Sequence, residues 1–118
     1  MSVRIDVEGA LPEDARVAAA FLQIIREAST NATKHAQAHQ VHVRLWQEGM
    51  DADAIARMTI SNDGSPAPVS YREGTGIPGM RHVAQDLGGS LEVHAAPPFM
   101  LAVSIPLNAN ATVQRRSS

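Results

Sequence analysis

From Glu13 to about Ala36, the residues Ala18, Leu22, Ile25, Ala28 or Ser29, and Ala32 recur at intervals of three and four. That spacing lays one apolar stripe along an α-helix, and Pro12, Glu13 and Asp14 supply its start. A stripe of this length must be buried against another layer, and the flanking segments offer a sheet. Val3, Ile5 and Val7 alternate with Arg4, Asp6 and Glu8, the period of a strand with one buried face, before Gly9 to Pro12 ends it. This strand is short and expected at an edge. Val41, Val43 and Leu45 alternate with His42, Arg44 and Trp46, and Ile55 to Ser61 resumes the pattern, which predicts a hairpin.

Asn62-Asp63-Gly64-Ser65-Pro66 is dense in turn formers, and the stretch from there to Gly76 has no periodicity. A loop of that length in a compact domain is usually functional or disordered. Pro78 opens a second helix with Met80, Val83, Ala84 and Leu87 as its stripe, closed by Gly88-Gly89. Leu91, Val93 and Ala95 predict one strand and Leu101, Val103 and Ile105 another, with Pro97-Pro98 turning between them. The expected fold is α+β: a two-layer α/β sandwich with helices on one face of a mixed, mostly antiparallel sheet. Residues 1–107 form the single expected domain, and the polar segment 108–118 is expected to be a disordered tail.

Composition narrows function mainly by exclusion. Trp46, Tyr71, Phe21 and Phe99 are the whole aromatic complement, too few for a base-stacking platform, and the formal net charge of -2 gives no field for phosphate backbones or anionic lipid. Nucleic acid and membrane are therefore not expected partners. There is no cysteine, which removes disulfides and thiolate metal sites and fits a reducing cytosol. No apolar run approaches the roughly 20 residues that span a bilayer. Any anion must be held locally, by backbone amides, a helix end or a metal ion.

Three segments carry such chemistry. At 100 degrees per residue, Glu27, Asn31 and Lys34 fall within about 60 degrees of one another, with His35 beside them. That stripe offers a carboxylate, an amide oxygen, an ammonium and an imidazole, next to the poor helix formers Ser29, Thr30 and Thr33. Mg²⁺ takes oxygen ligands and commonly only one or two from protein, which Asn31 and Glu27 could supply, leaving Lys34 for phosphate. The plain alternative is a solvated helix face. Gly74-Thr75-Gly76-Ile77-Pro78-Gly79-Met80 precedes a helix, where glycines admit a phosphate to backbone amides and the helix dipole favours it; a flexible turn is the alternative. In Asn62-Asp63-Gly64 a side-chain oxygen could accept a bond from an adenine amino group, or the segment is an ordinary turn; Asp63 should point away from Asn62 if the strand continues. A zinc reading of His35, His39 and His42 lacks a carboxylate at a suitable spacing.

In order and spacing these segments resemble the boxes of the GHKL (Bergerat-fold) ATPase superfamily, which includes histidine kinases, gyrase, HSP90 and MutL. E-A-S-T-N-A-T-K-H resembles its N box, and N-D-G, G-T-G-I-P-G-M-R and L-G-G-S-L-E-V resemble the later boxes. The pattern is most similar to the HATPase_c catalytic domain of sensor histidine kinases of the nitrate-sensor and desaturase-regulator class, over residues 3 to 107.

The resemblance implies an ATP- and Mg²⁺-binding catalytic domain of a two-component sensor kinase. Asn31 would be the metal ligand, Glu27 the acidic residue assisting phosphoryl transfer, and Lys34 and His35 phosphate-side contacts. Gly74, Thr75, Gly76, Ile77, Gly79 and Met80 would form the loop over ATP, and Asn62 with Gly64 the adenine side, Asn62 standing where the family usually has Asp. The resemblance further implies a His-containing dimerisation domain of the parent kinase as phosphate acceptor, which nothing before Val3 could be, a response regulator downstream, and a cytoplasmic domain whose parent is compatible with membrane anchoring. Pro66 replaces a family glycine and Phe99-Met100 a family Gly-Thr. These departures raise a degenerate interaction module as an alternative, beside an anti-sigma-type serine kinase.

Overall fold

A computed structural model of the chain describes residues 2–9, 14–35, 39–50, 53–63, 76–94 and 100–107. Strand β1 (Ser2–Val7) leads into helix α1 (Ala15–His35), followed by β2 (Gln40–Glu48), β3 (Ile55–Asn62), α2 (Ile77–Asp86), β4 (Ser90–His94) and β5 (Met100–Pro106). The loop 64–75, residues 95–99 and the tail 108–118 lie outside the described residues.

Among the described residues the strands form one five-stranded sheet in the order β1-β2-β3-β5-β4. In it β1 and β2 are parallel, Val3 pairing with Val41 and Val7 with Leu45; the remaining pairs are antiparallel. Parallel neighbours need a connection that travels back along the strand, and α1 supplies it. α1 therefore ends where β2 begins, and β3, antiparallel to β2, ends there too, with Asn62 opposite Val41. Both predicted hairpins are present, β2–β3 and β4–β5.

Alternation puts Val41, Val43 and Leu45, Ala56, Met58 and Ile60, Leu91, and Leu101, Val103 and Ile105 on one buried face. Both helices pack on that face: α1 lies on β2 and β3, α2 on β4 and β5, and the two helices touch. From α2, Ile77, Met80 and Ala84 enter the core, with Val83 and Leu87 partly buried, as their spacing predicts.

Two expectations are corrected, the buried stripe of α1 and the burial of β1. α1 begins at Ala15 because Asp14 caps it, Oδ1 accepting the N–H of Arg16 at 2.9 Å and of Val17 at 3.3 Å. Its buried stripe is Val17, Ala20, Phe21, Ile24, Ala28 and Ala32, whereas Ala18 is exposed and Leu22 is 55% exposed. Val3, Ile5 and Val7 share a face with the core strands but stay 43–50% exposed, since α1 packs mainly on β2 and β3. Ile5 and Leu45 instead form an open apolar trough with Ala18, Leu22 and Ile25. On the opposite face β1 is tied to β2 by a hydrogen bond between Asp6 Oδ2 and His42 Nε2 at 2.6 Å and by the ion pair of Glu8 with Arg44, while Arg4 Nε, on β1 itself, lies 3.1 Å from Asp6 Oδ2. The hydrogen bond with His42 and, after it, the Arg4 charge hold the Asp6 carboxyl below its ordinary range against desolvation.

Candidate functional site

The last turns of α1 meet the sheet through Ala28 and Ala32, which are 8% and 2% exposed. Their small side chains let the helix axis approach the strands, while Thr33 returns its hydroxyl to the Ser29 carbonyl at 2.9 Å. Close approach brings Asn31, on the same turns, to the wall of a pocket also lined by Ala28, Val41, Ile60, Asn62, Ile77, Met80 and Leu101. Asn62 is the polar residue buried there, 9% exposed. Asn31, Asn62, Ile77 and Met80, expected from three separate segments, thus share one pocket.

Gly76 joins the segments on the other side. It is the N-cap of α2 with φ 95° and ψ -12°, a left-handed conformation. A Cβ built there would lie 3.3 Å from Asn31 Nδ2, 3.3 Å from Glu27 Oε2 and 3.8 Å from Asn31 Oδ1. The two α1 side chains therefore converge on one point beside the start of α2, as their four-residue spacing allows. Among the described residues no side chain caps α2 by a hydrogen bond and its own first turn carries no acidic residue, so the charge that stands beside its positive end is the Glu27 carboxylate from α1. Pro78 fits in that turn because its missing N–H would have had no helical partner. Gly79 follows with open space around its Cβ position.

Of the Asn31 amide, the nitrogen lies nearer this point than the oxygen; the amide oxygen and the Glu27 carboxylate are the donor types that Mg²⁺ takes. Among the described residues no group of three His, Cys, Asp or Glu could hold a metal ion, so a complete protein cage is not formed there. This donor set fits a cation that completes its shell with water and phosphate oxygens. The zinc reading fails locally: His42 is on β2, engaged by Asp6, rather than on a helix with its neighbours. Lys34 and His35 fall in the last turn of α1, but their side chains, like Gly64, Gly74, Thr75, Pro66 and Phe99, lie outside the described residues.

Asp63 turns away from Asn62, as alternation predicts, and is exposed. Its Oδ1 accepts the backbone N–H of His39 at 2.8 Å and of Gln40 at 2.9 Å. The Gln40 bond and then the His39 bond hold its carboxyl below the ordinary value of 3.8. A carboxyl lowered in the folded state stabilises it fully above the unfolded value, and that contribution disappears as pH falls through the folded one. The difference in Tm between the wild-type chain and Asp63→Ala is therefore expected to be constant from neutral pH to about pH 4 and to shrink below it. Thermal melts of both proteins across that range check this; a difference that persists undiminished at pH 2 would count against it.

Sequence reasoning did not identify Val41, Ile60 and Leu101 as walls of the pocket. Their alternation signals the buried face, but which of them flank Asn62 depends on strand register, Val41 opposite Asn62 and Ile60 opposite Leu101.

Residues 17–110 match the family described as "Histidine kinase-, DNA gyrase B-, and HSP90-like ATPase" (HATPase_c). The signal transduction histidine-protein kinase/phosphatase UhpB of Salmonella typhimurium is 36% identical over 104 residues, covering 87% of this chain. The chain spans 19% of that relative's length. Among solved structures, a blue-light activated histidine kinase of Erythrobacter litoralis superposes with a TM-score of 0.68 at 23% identity, over 93% of this chain and 37% of that one. The ATP binding domain of PrrB from Mycobacterium tuberculosis gives 0.60 at 19% identity, over 88% and 79%. At these identities the structural matches speak for the fold, and the sequence matches carry the kinship. The chain belongs to the histidine kinase-, DNA gyrase B- and HSP90-like ATPase family.

Proposed function

We propose that this chain binds ATP with Mg²⁺ and presents the γ-phosphate to a His on a separate helical dimerisation domain of its parent kinase, with a response regulator downstream. The convergence of Asn31 and Glu27 on Gly76, at the N-terminus of α2, carries this reading. Asn31 would hold the metal ion. Glu27 would hold one of its waters or assist the transfer as an acidic group. The amides at the start of α2, with Gly74, Thr75, Gly76, Ile77 and Gly79, receive phosphate oxygens, and Lys34 and His35 add phosphate-side contacts. Asn62, with Gly64, takes the adenine side, where its carbonyl accepts the amino group and Met80 and Ile77 supply an apolar wall. Mg²⁺ would neutralise charge on the phosphates; phosphoryl transfer is otherwise mainly positioning, which these residues provide.

The E-A-S-T-N-A-T-K-H and G-T-G-I-P-G-M-R segments support assignment to the nitrate-sensor and desaturase-regulator class. The catalytic domain takes in residues 1–107. The site works in the cytoplasm, on ATP, with no membrane contact of its own; no described helix is long and apolar enough to cross a membrane.

Thermal unfolding with and without Mg-ATP tests the reading. Ligand at 100 times its Kd stabilises by about 2.7 kcal/mol, a Tm rise of several degrees for a domain this size. Asn31→Ala should remove most of the Mg²⁺-dependent part of that rise. No shift at millimolar ATP in the wild-type chain would point instead to a degenerate interaction module, and phosphohistidine forming on the isolated chain would contradict a separate acceptor.

A further inference from the structure

Asp63 has no place in the nucleotide reading, since its side chain leaves the strand on the side opposite Asn62. It nevertheless closes a junction at the edge of the site. One carboxylate oxygen takes the N–H groups of both His39 and Gln40, and the Asp63 N–H returns a bond to the Gln40 carbonyl at 3.2 Å. The His39 carbonyl in turn accepts the N–H of Ser2 at 3.0 Å. The start of β1, the start of β2 and the end of β3 are thus tied at residues 39–40, a few residues after α1 ends at His35.

The packing of α1 shows why such a tie matters. Its first half is keyed into the core by Val17, Phe21 and Ile24, which cannot slide past their neighbours without repacking. Its second half, which carries Asn31, is buried at the small residues Ala28 and Ala32, with Ile25 partly buried and α2 alongside. Alanines allow close approach but present no knob to fix the helix along its axis. Among the described residues beyond the helix, the pair of amides held by Asp63 is a tie that bears on where the Asn31 end lies.

We propose that Asp63 is a positioning residue for nucleotide binding: by fixing the entry into β2, it holds the Asn31 end of α1 at the separation from Asn62 that a nucleotide must span. This rests on the reading of Asn31 and Asn62 as metal-phosphate and adenine contacts. Asp63 itself touches no ligand.

The test is calorimetric binding of the non-hydrolysable analogue adenylyl imidodiphosphate with Mg²⁺ to the 118-residue chain, at a temperature where each variant is folded. Asp63→Ala is expected to weaken binding about tenfold, within the range by which residues outside a site alter coupling. Asp63→Asn keeps an acceptor without the charge and should fall between, at about a two- to threefold loss. In the Asn31→Ala background the Asp63 effect should largely vanish, because the group being positioned is gone; a merely structural role would lower Tm in both backgrounds and leave the affinity of the folded protein unchanged. Wild-type affinity in folded Asp63→Ala, or an equal loss in both backgrounds, overturns the proposal. If Asp63→Ala does not fold, the same cycle with Asp63→Asn decides: a loss confined to the Asn31 background supports it, and none overturns it. A wild-type chain that fails to bind the analogue overturns the nucleotide reading, and this inference with it.

Discussion

Gly76→Ala is expected to destabilise the domain by about 1–2 kcal/mol, the cost of a left-handed conformation for a residue with a Cβ, and to weaken Mg-ATP binding ten- to a hundredfold. The two losses have different origins. The first comes from φ 95° at the N-cap of α2 and would arise with no ligand present. The second comes from the new methyl lying 3.3 Å from both Asn31 Nδ2 and Glu27 Oε2. So tight an approach pushes one or both side chains off the point where they meet, and each charge-assisted hydrogen bond that depends on that point is worth about 1.5–3 kcal/mol. Denaturant melts measure the first effect, and calorimetry on the folded variant the second. Gly79→Ala is the internal control for stability: its Cβ would meet nothing within 4 Å, and helix propensity favours Ala. If Gly76→Ala matched the wild type in both assays, the convergence of α1 on the start of α2 would not be the binding geometry.

Gly89→Ala should cost more in stability, about 3 kcal/mol, with little leaving the core to account for it. Gly89 N–H closes the end of α2 on the Ala84 carbonyl at 2.9 Å, and the next residue, Ser90, pairs with Ser104. A Cβ at Gly89 would fall 2.1 Å from the Ser104 carbonyl oxygen and 3.0 Å from Ile105 Cα. Those are backbone atoms of β5, which is bonded on both sides and cannot yield as a side-chain tip would. The turn must lift instead, drawing α2 away from the sheet. Against a total stability of about 5–15 kcal/mol this is a large fraction, and the denaturation midpoint should fall accordingly. An unchanged midpoint would mean that the turn has slack its contacts do not suggest.

Much of this architecture was legible from alternation and periodicity, and the failures have a common cause. α1 carries two apolar stripes one residue apart, Val17-Phe21-Ile24-Ala28 and Ala18-Leu22-Ile25-Ser29. Periodicity identifies a helix but cannot choose between stripes rotated by about 100 degrees; the sheet chose the one with Phe21. Val3, Ile5 and Val7 were legible as one face of a strand, yet their burial depends on how far the helix layer extends, a property of the assembled molecule. At the site, the pairing of Glu27 with Asn31 follows from helical spacing, while the arrival of Gly76 beside them was suggested only by the order of the boxes. The bonds from Asp63 to His39 and Gln40 bridge 24 and 23 residues and leave no mark in local sequence.

The parallel pairing of β1 with β2 also bears on how the site comes into being. Asn31, Asn62 and Gly76 stand far apart in the chain and meet only after a strand-helix-strand crossover, a hairpin and the return of α2 have all closed. Loop-closure entropy must be met before any of these contacts repays it, so such a topology forms late and cooperatively. A chain trapped partway, with its hairpins made but α1 not yet docked, has secondary structure and no nucleotide site. Nucleotide binding thereby reports completion of the whole domain, and a ligand that recognises only the finished arrangement draws the folding equilibrium toward it.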